Sequence, residues 1–222
     1  MTSDRRYSAV LFDLDGTLVD SFEALTTAVN TVRRAAHKPA IEMAIVRGYV
    51  GEGVDKLLER VLESEKADDS LRRVFEESYN EICCQQSVVL TDVMETLGRL
   101  SISGIRMAVC TNKPTGFSRK ILEHFGMASH FDAIVGPDLA LARKPDKRHL
   151  LHTLAFTGRE VSDALFVGDM PIDVVTARNS GVDVATVATG PASREELAAS
   201  RPDFMLDRFS DLVSLVLPSG QR

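Results

Sequence analysis

From residue 105 onward, short apolar runs at 105–110, 133–135, 164–167 and 184–187, with a weaker one at 204–206, alternate with segments of helical periodicity. That rhythm restricts the fold more than any other feature of the chain. Parallel strands can be joined only through a crossover, usually a helix, so a strand–helix alternation implies a parallel sheet. Runs that are apolar throughout, without polar alternation, belong to strands buried on both faces. The helical segments at 93–100, 117–125, 150–155 and 172–179 run into Gly104, Gly126, Gly158 and Gly181, each placed as a helix stop. With a further apolar run at 9–12, the expected fold class is α/β: a Rossmann-like, doubly wound parallel sheet.

Residues 18–87 break the rhythm. They contain no convincing strand, but apolar residues recur at helical spacing. Phe22, Leu25, Val29, Val32 and Ala36 form one series; Val54, Leu57, Leu58, Val61 and Leu62 a second; Leu71, Val74, Phe75, Tyr79 and Ile82 a third. This predicts an all-helical cap domain at 18–87, inserted into a core made of 1–17 and 88–222. Because the insertion leaves directly after the first strand, it has to return close to that strand's end, as a lid would.

The formal net charge of −6, with no stretch concentrating Lys and Arg, argues against a nucleic-acid partner. A small anionic molecule met by a few local cations remains compatible. Cys83, Cys84 and Cys110 show neither a disulfide framework nor metal-ligand spacing, which points to the cytoplasm. No run approaches the ~18 apolar residues of a membrane span, and the start of the chain lacks a signal-peptide core, so no membrane association is expected. A monomer or a homodimer fits equally.

In an open parallel sheet, ligands bind beyond the carboxyl ends of the strands, near the point where strand order reverses. Those ends hold a short inventory. The first run is followed by Asp13-Leu14-Asp15-Gly16-Thr17, the second by Thr111-Asn112-Lys113, and the run at 164–167 by Gly168-Asp169, with Asp173 in the next helix. Lys144-Pro145 lies between the third run and the helix at 150–155. Asp13 and Asp15 can face one side, because strand side chains repeat with period two. Two close carboxylates stay ionised together only beside a cation or with a shared proton, so the pair asks for a metal or for acid/base chemistry.

Taken together, the groups suit phosphoryl transfer from a small monoester. Mg2+ prefers oxygen ligands, which Asp13 and Asp169 can supply. Lys144 can offset the charge on phosphoryl oxygens, and Thr111 can donate hydrogen bonds to them. A carboxylate can act as nucleophile, and Asp15 can protonate the leaving oxygen and later deprotonate water. His149 and His152 have no acidic or cysteinyl company at ligand spacing and are not expected to bind metal, and Cys110 is expected in the core.

With these residues assembled, the chain resembles the haloacid dehalogenase-like phosphohydrolases in all four of that family's motifs: Asp13-Leu14-Asp15-Gly16-Thr17, Thr111-Asn112, Lys144-Pro145, and Gly168-Asp169 with Asp173. The resemblance implies Asp13 as nucleophile, Asp15 as general acid/base, and Thr111, Asn112 and Lys144 as phosphoryl or substrate binders. It also implies Mg2+ held among Asp13, Asp15, Asp169 and Asp173. Asp15 favours a phosphatase, since dehalogenases of the superfamily lack the second aspartate. A finer similarity is to phosphoglycolate phosphatases, whose cap carries a glycine-flanked loop toward the substrate, here Arg47-Gly48-Tyr49-Val50-Gly51-Glu52-Gly53. It implies 2-phosphoglycolate, a small phosphorylated metabolite, as substrate; Arg47 or Lys56 is the cation expected to read a substrate carboxylate. The alternatives are a phosphatase of a sugar phosphate or nucleotide, a beta-phosphoglucomutase-like mutase, and a non-catalytic interaction protein.

Overall fold

Apolar strand segments assemble into one main sheet in the computed structural model, which describes residues 7–64 and 68–217. Residues 1–6, 65–67 and 218–222, parts of the expected core ends and of the insertion, lie outside the described residues. The strands are β1 (Ala9–Phe12), β2 (Val19–Asp20), β3 (Val88–Val89), β4 (Arg106–Cys110), β5 (Ala133–Val135), β6 (Ala164–Gly168), β7 (Asp183–Val187) and β8 (Phe204–Leu206). The main sheet has the order β5-β4-β1-β6-β7-β8, every neighbouring pair parallel. After β5 the chain crosses β1 to start β6 on the other side, so strand order reverses around β1.

Helices follow in chain order: α1 (Phe22–Ala35), α2 (Met43–Arg47), α3 (Val54–Leu62), α4 (Asp69–Ile82), α5 (Val93–Ile102), α6 (Thr115–His124), α7 (Pro137–Ala140), α8 (Lys147–Ala155), α9 (Pro171–Ser180), α10 (Arg194–Ser200) and α11 (Asp211–Val216). Strand side chains alternate between two cores. Val10 and Phe12 of β1 pack with Val109 and Val167 and with residues of α5, α6 and α11, while Ala9 and Leu11 pack with Cys110, Phe166 and residues of α8 and α9. Both sheet faces are therefore covered, as the unbroken apolar runs require.

Differences from the sequence expectation have local causes. The stretch read as strand-free begins with β2, which pairs antiparallel with β3 and ties the two ends of the helical insertion together. Two residues are too few to show alternation. The short helices α2, α7, α10 and α11 were not anticipated, because none is long enough to display a helical period. Helix α8 starts at Lys147, earlier than expected, since Asp146 caps it by accepting from Arg148 N–H at 2.9 Å.

Candidate active site

Parallel register fixes which strand ends meet. Phe12 stands opposite both Val109 and Val167, so the residues just past these positions share one edge of the sheet. Asp13 N–H continues the ladder to Val167 O at 2.9 Å, and Thr111 N–H does so to Val135 O at 3.1 Å. Past Asp13 the chain turns sharply at Gly16, whose φ of +84° lies in the region glycine tolerates. A Cβ there would fall 2.4 Å from Asp169 Oδ2.

Asp13, Asp169 and Asp173 form a buried cluster in which one carboxylate oxygen of each lies within 4.8 Å of the others. Lys144 enters it from the β5–α8 connection, with Nζ 2.7 Å from Asp173 Oδ1 and 2.9 Å from Asp13 Oδ1. The Asp173 contact is a hydrogen bond; the Asp13 contact is an ion pair that does not meet hydrogen-bond geometry. Burial works against the Lys144 ammonium, but the Asp13 and Asp173 carboxylates outweigh it and its pKa is raised. Burial, followed by the charges of Asp13 and Asp173, pushes the Asp169 carboxyl well above the usual range. Asp173 is pushed up to about 6, chiefly by burial, although Lys144 and backbone donors oppose the shift.

The cluster fits a metal cation. Three carboxylates face one ammonium, so negative charge is left unmatched in a buried place. Asp169 Oδ2 is buried without a hydrogen-bond donor, a costly condition for a carboxylate unless a cation completes it. Space around Asp169 is kept by glycine: a Cβ on Gly190 would lie 1.6 Å from Asp169 Oδ2. The other oxygen of Asp169 accepts from Thr17 Oγ at 2.6 Å. Asp173 also accepts from the Asp169 and Met170 N–H groups at 3.2 and 3.1 Å, so it holds the start of α9 while it faces Lys144.

Asp15 is not in this cluster, in contrast to its expected place among the metal ligands. Its carboxylate receives Lys113 Nζ at 2.8 and 2.7 Å and Ser21 Oγ at 2.5 Å. Asp13 and Asp15 do line the same cavity, of about 50 Å3, together with Thr111, Asn112 and Lys113 from the sheet side. From the helical insertion come Leu25, Val50, Val54 and Leu57 with Gly51 and Gly53. The glycine-flanked loop therefore reaches the site: Asn112 Nδ2 donates to Gly51 O at 2.9 Å, and a Cβ on Gly51 would strike the Met170 side chain.

Asn112 binds the protein's own backbone. Its amide also donates to Lys144 O at 3.1 Å and accepts from Lys144 N–H at 2.8 Å, bracketing the lysine that enters the cluster. Arg47 is not among the cavity-lining residues; its guanidinium sits 4.2 Å above the Phe22 ring and 4.0 Å from Asp20. Lys56 is spent on Glu59 at 2.6 Å. Neither cap cation is brought to the carboxylates.

The residues that sequence reasoning missed are Lys113, to which no role was assigned, and Thr17. Period two could have flagged Lys113, since it shares a side with Thr111 just past the strand end. Thr17 lies beyond a tight turn, where periodicity gives no direction. His149 is fully buried, its Nε2 3.2 Å from Val135 O. Burial, its largest influence, lowers its pKa to about 4. Cys110 lies in the core, where burial pushes its thiol up to about 12.

A family model described as haloacid dehalogenase-like hydrolase matches residues 10–187. A phosphoglycolate phosphatase of Vibrio parahaemolyticus is 35% identical over 220 residues, covering 95% of this chain and 96% of the relative. One of Rhodospirillum rubrum is 36% identical over 227 residues, covering 96% and 94%. Among solved structures, a predicted phosphoglycolate phosphatase from Haemophilus somnus superimposes with a TM-score of 0.88 at 30% identity, covering 95% of this chain and 98% of the other.

Proposed function

The chain belongs to the haloacid dehalogenase-like hydrolases and is a phosphatase, and from that premise we propose that it hydrolyses a small phosphate monoester, 2-phosphoglycolate, through an aspartyl-phosphate on Asp13. The observation that carries this reading is the convergence of Asp13, Asp169, Asp173, Lys144 and Thr111 beyond the ends of adjacent parallel strands. The substrate follows the names of relatives that match nearly the whole chain.

In this reading the Asp13 carboxylate attacks phosphorus as the bond from phosphorus to the leaving oxygen breaks. A proton from the Asp15 carboxylic acid goes to that oxygen, releasing glycolate. Water then attacks phosphorus, its proton passes to Asp15, the Asp13–phosphorus bond breaks, and orthophosphate leaves. Lys144 supplies positive charge and Thr111 a hydroxyl donor for the phosphoryl oxygens. The carboxylates of Asp13, Asp169 and Asp173 would hold Mg2+, which would supply Lewis-acid neutralisation of phosphoryl charge.

The division into a core of 1–17 and 88–222 and a cap of 18–87 belongs to the same proposal. A cavity of about 50 Å3 holds a few waters, so a monoester enters when the Gly51 loop lifts from Asn112 and Met170. The partner is a small phosphorylated metabolite, and Arg47 and Lys56 serve the cap surface. Free, buried Cys83, Cys84 and Cys110 suit the reducing cytoplasm. No helix among the described residues is long and apolar enough to cross a membrane.

Phosphate release from 2-phosphoglycolate, with Mg2+ and with chelator, tests the reading. Asp13→Asn should lower kcat by about a thousandfold or more, as removal of a nucleophile does. Near-normal turnover by that variant would show that Asp13 is not the nucleophile.

A further inference from the structure

A substrate carboxylate carried into this cavity loses water, and the protein has to replace that solvation with a cation or with donors. The insertion presents mainly apolar wall there, from Leu25, Val50, Val54 and Leu57. Three cations of the insertion are paired within it: Arg47 faces Asp20, Lys56 faces Glu59, and Arg60 faces Glu52. Among the described residues that line the cavity, Lys113 is the one cation.

Lys113 is also placed at the junction of core and insertion. Its Nζ bonds both oxygens of Asp15, and it lies 4.8 Å from the centroid of the Tyr79 ring on α4. The two side chains of the ion pair are only 5% and 11% exposed. An ammonium held in so buried a place needs counter-anions around it. A carboxylate carried into the cavity by the substrate supplies a further one.

We propose that Lys113 is the specificity-determining residue of the site: its ammonium, the one cation among the described residues that line the cavity, pairs with an acidic group of the substrate, so that short monoesters with a carboxylate close to the ester oxygen are preferred. This rests on the reading of the site as that of a phosphatase. A neutral monoester leaves Lys113 on Asp15 alone and binds more weakly, although its phosphoryl group meets the same Asp13 and Lys144. Specificity is thereby set by one side chain of the core, with no cap cation needed.

The test compares 2-phosphoglycolate with 2-hydroxyethyl phosphate, in which an alcohol replaces the carboxylate, measuring kcat and KM separately with Mg2+. The wild type should prefer the acid. In Lys113→Met the ratio of kcat/KM for the two substrates should fall about tenfold or more, mainly through a higher KM for the acid, and Lys113→Arg should restore part of it. An unchanged ratio in Lys113→Met, or equal kcat/KM for both substrates in the wild type, overturns the inference while the phosphatase reading stands. Absence of turnover on any phosphate monoester by the wild type overturns both. If Lys113→Met does not fold, inhibition of the wild type decides. Glycolate should inhibit hydrolysis of 2-hydroxyethyl phosphate where ethylene glycol at equal concentration does not; equal inhibition by both, or by neither, overturns the inference.

Discussion

Thr17 Oγ donates a 2.6 Å hydrogen bond to Asp169 Oδ1, tying the turn after the first strand to the end of β6, 152 residues later in the chain. Both residues are fully buried. The bond orients a carboxylate whose other oxygen has no donor, and it joins two of the strand ends that build the carboxylate cluster.

Removing that donor should weaken metal binding before it affects the fold. Thr17→Val keeps the shape and deletes the hydroxyl, and loss of such a supporting partner typically lowers metal affinity by about 10–100-fold. A Mg2+ titration of phosphatase activity, paired with the Mg2+-induced rise in melting temperature, reads this directly. Wild-type Mg2+ dependence in Thr17→Val would mean that Asp169 is held by its surroundings without the threonine.

Two buried groups give opposite pH dependences in the metal-free protein. Asp173, raised from 3.8 to about 6, contributes stability that is present below pH 4 and lost as pH rises through about 6. His149, lowered from 6.5 to about 4, contributes stability that is present above pH 6.5 and lost as pH falls through about 4. The two slopes oppose each other between pH 4 and 6, and Asp169, raised likewise by burial, adds to the carboxylate side. His149→Gln should unmask the carboxylate slope: the stability of the wild type relative to this variant should rise by about 3 kcal/mol from pH 4 to 6.5. Chemical denaturation in chelator at several pH values checks it. A flat difference would show that His149 does not titrate in that window.

Asn112 links the insertion to the lysine loop, so its loss should register in stability and in catalysis. Asn112→Ala removes bonds to Gly51 O, Lys144 O and Lys144 N–H, leaving buried backbone groups unpaired at about 1–3 kcal/mol each when unsatisfied. The expected outcome is a destabilisation of about 2–4 kcal/mol, water repairing part of the loss, with reduced kcat because Lys144 is no longer bracketed. Denaturant melts and steady-state kinetics measure both. Unchanged kcat with lowered stability would make Asn112 purely structural.

Much of the site was legible because a parallel sheet converts sequence position into spatial position. Asp13, Thr111 and Asp169 follow apolar runs, and the rule that ligands lie beyond strand ends needs no side-chain detail. Arg47 shows where such reading stops. Its loop does reach the cavity through Gly51 and Gly53, yet the guanidinium settles on Phe22 and Asp20, a choice made by rotamer and by local charge. Asn112 was read as a substrate ligand from its place beside Thr111, whereas its amide is taken up by backbone groups from two other segments.

The order of residues along the chain was enough for the α/β class, the helical insertion after the first strand and the identity of the acidic and basic groups at the sheet edge. It could do so because hydrophobic period and turn residues act over a few neighbours. Which charge meets which depends on the folded chain. Lys144 joins Asp13 and Asp173, while Lys113 takes Asp15 across 98 residues and holds it apart from the buried carboxylate cluster. Ion pairing in a buried site depends on distances of a few ångströms between groups far apart in the chain, and those distances are set by sheet register, turn geometry and the packing of the insertion on the core.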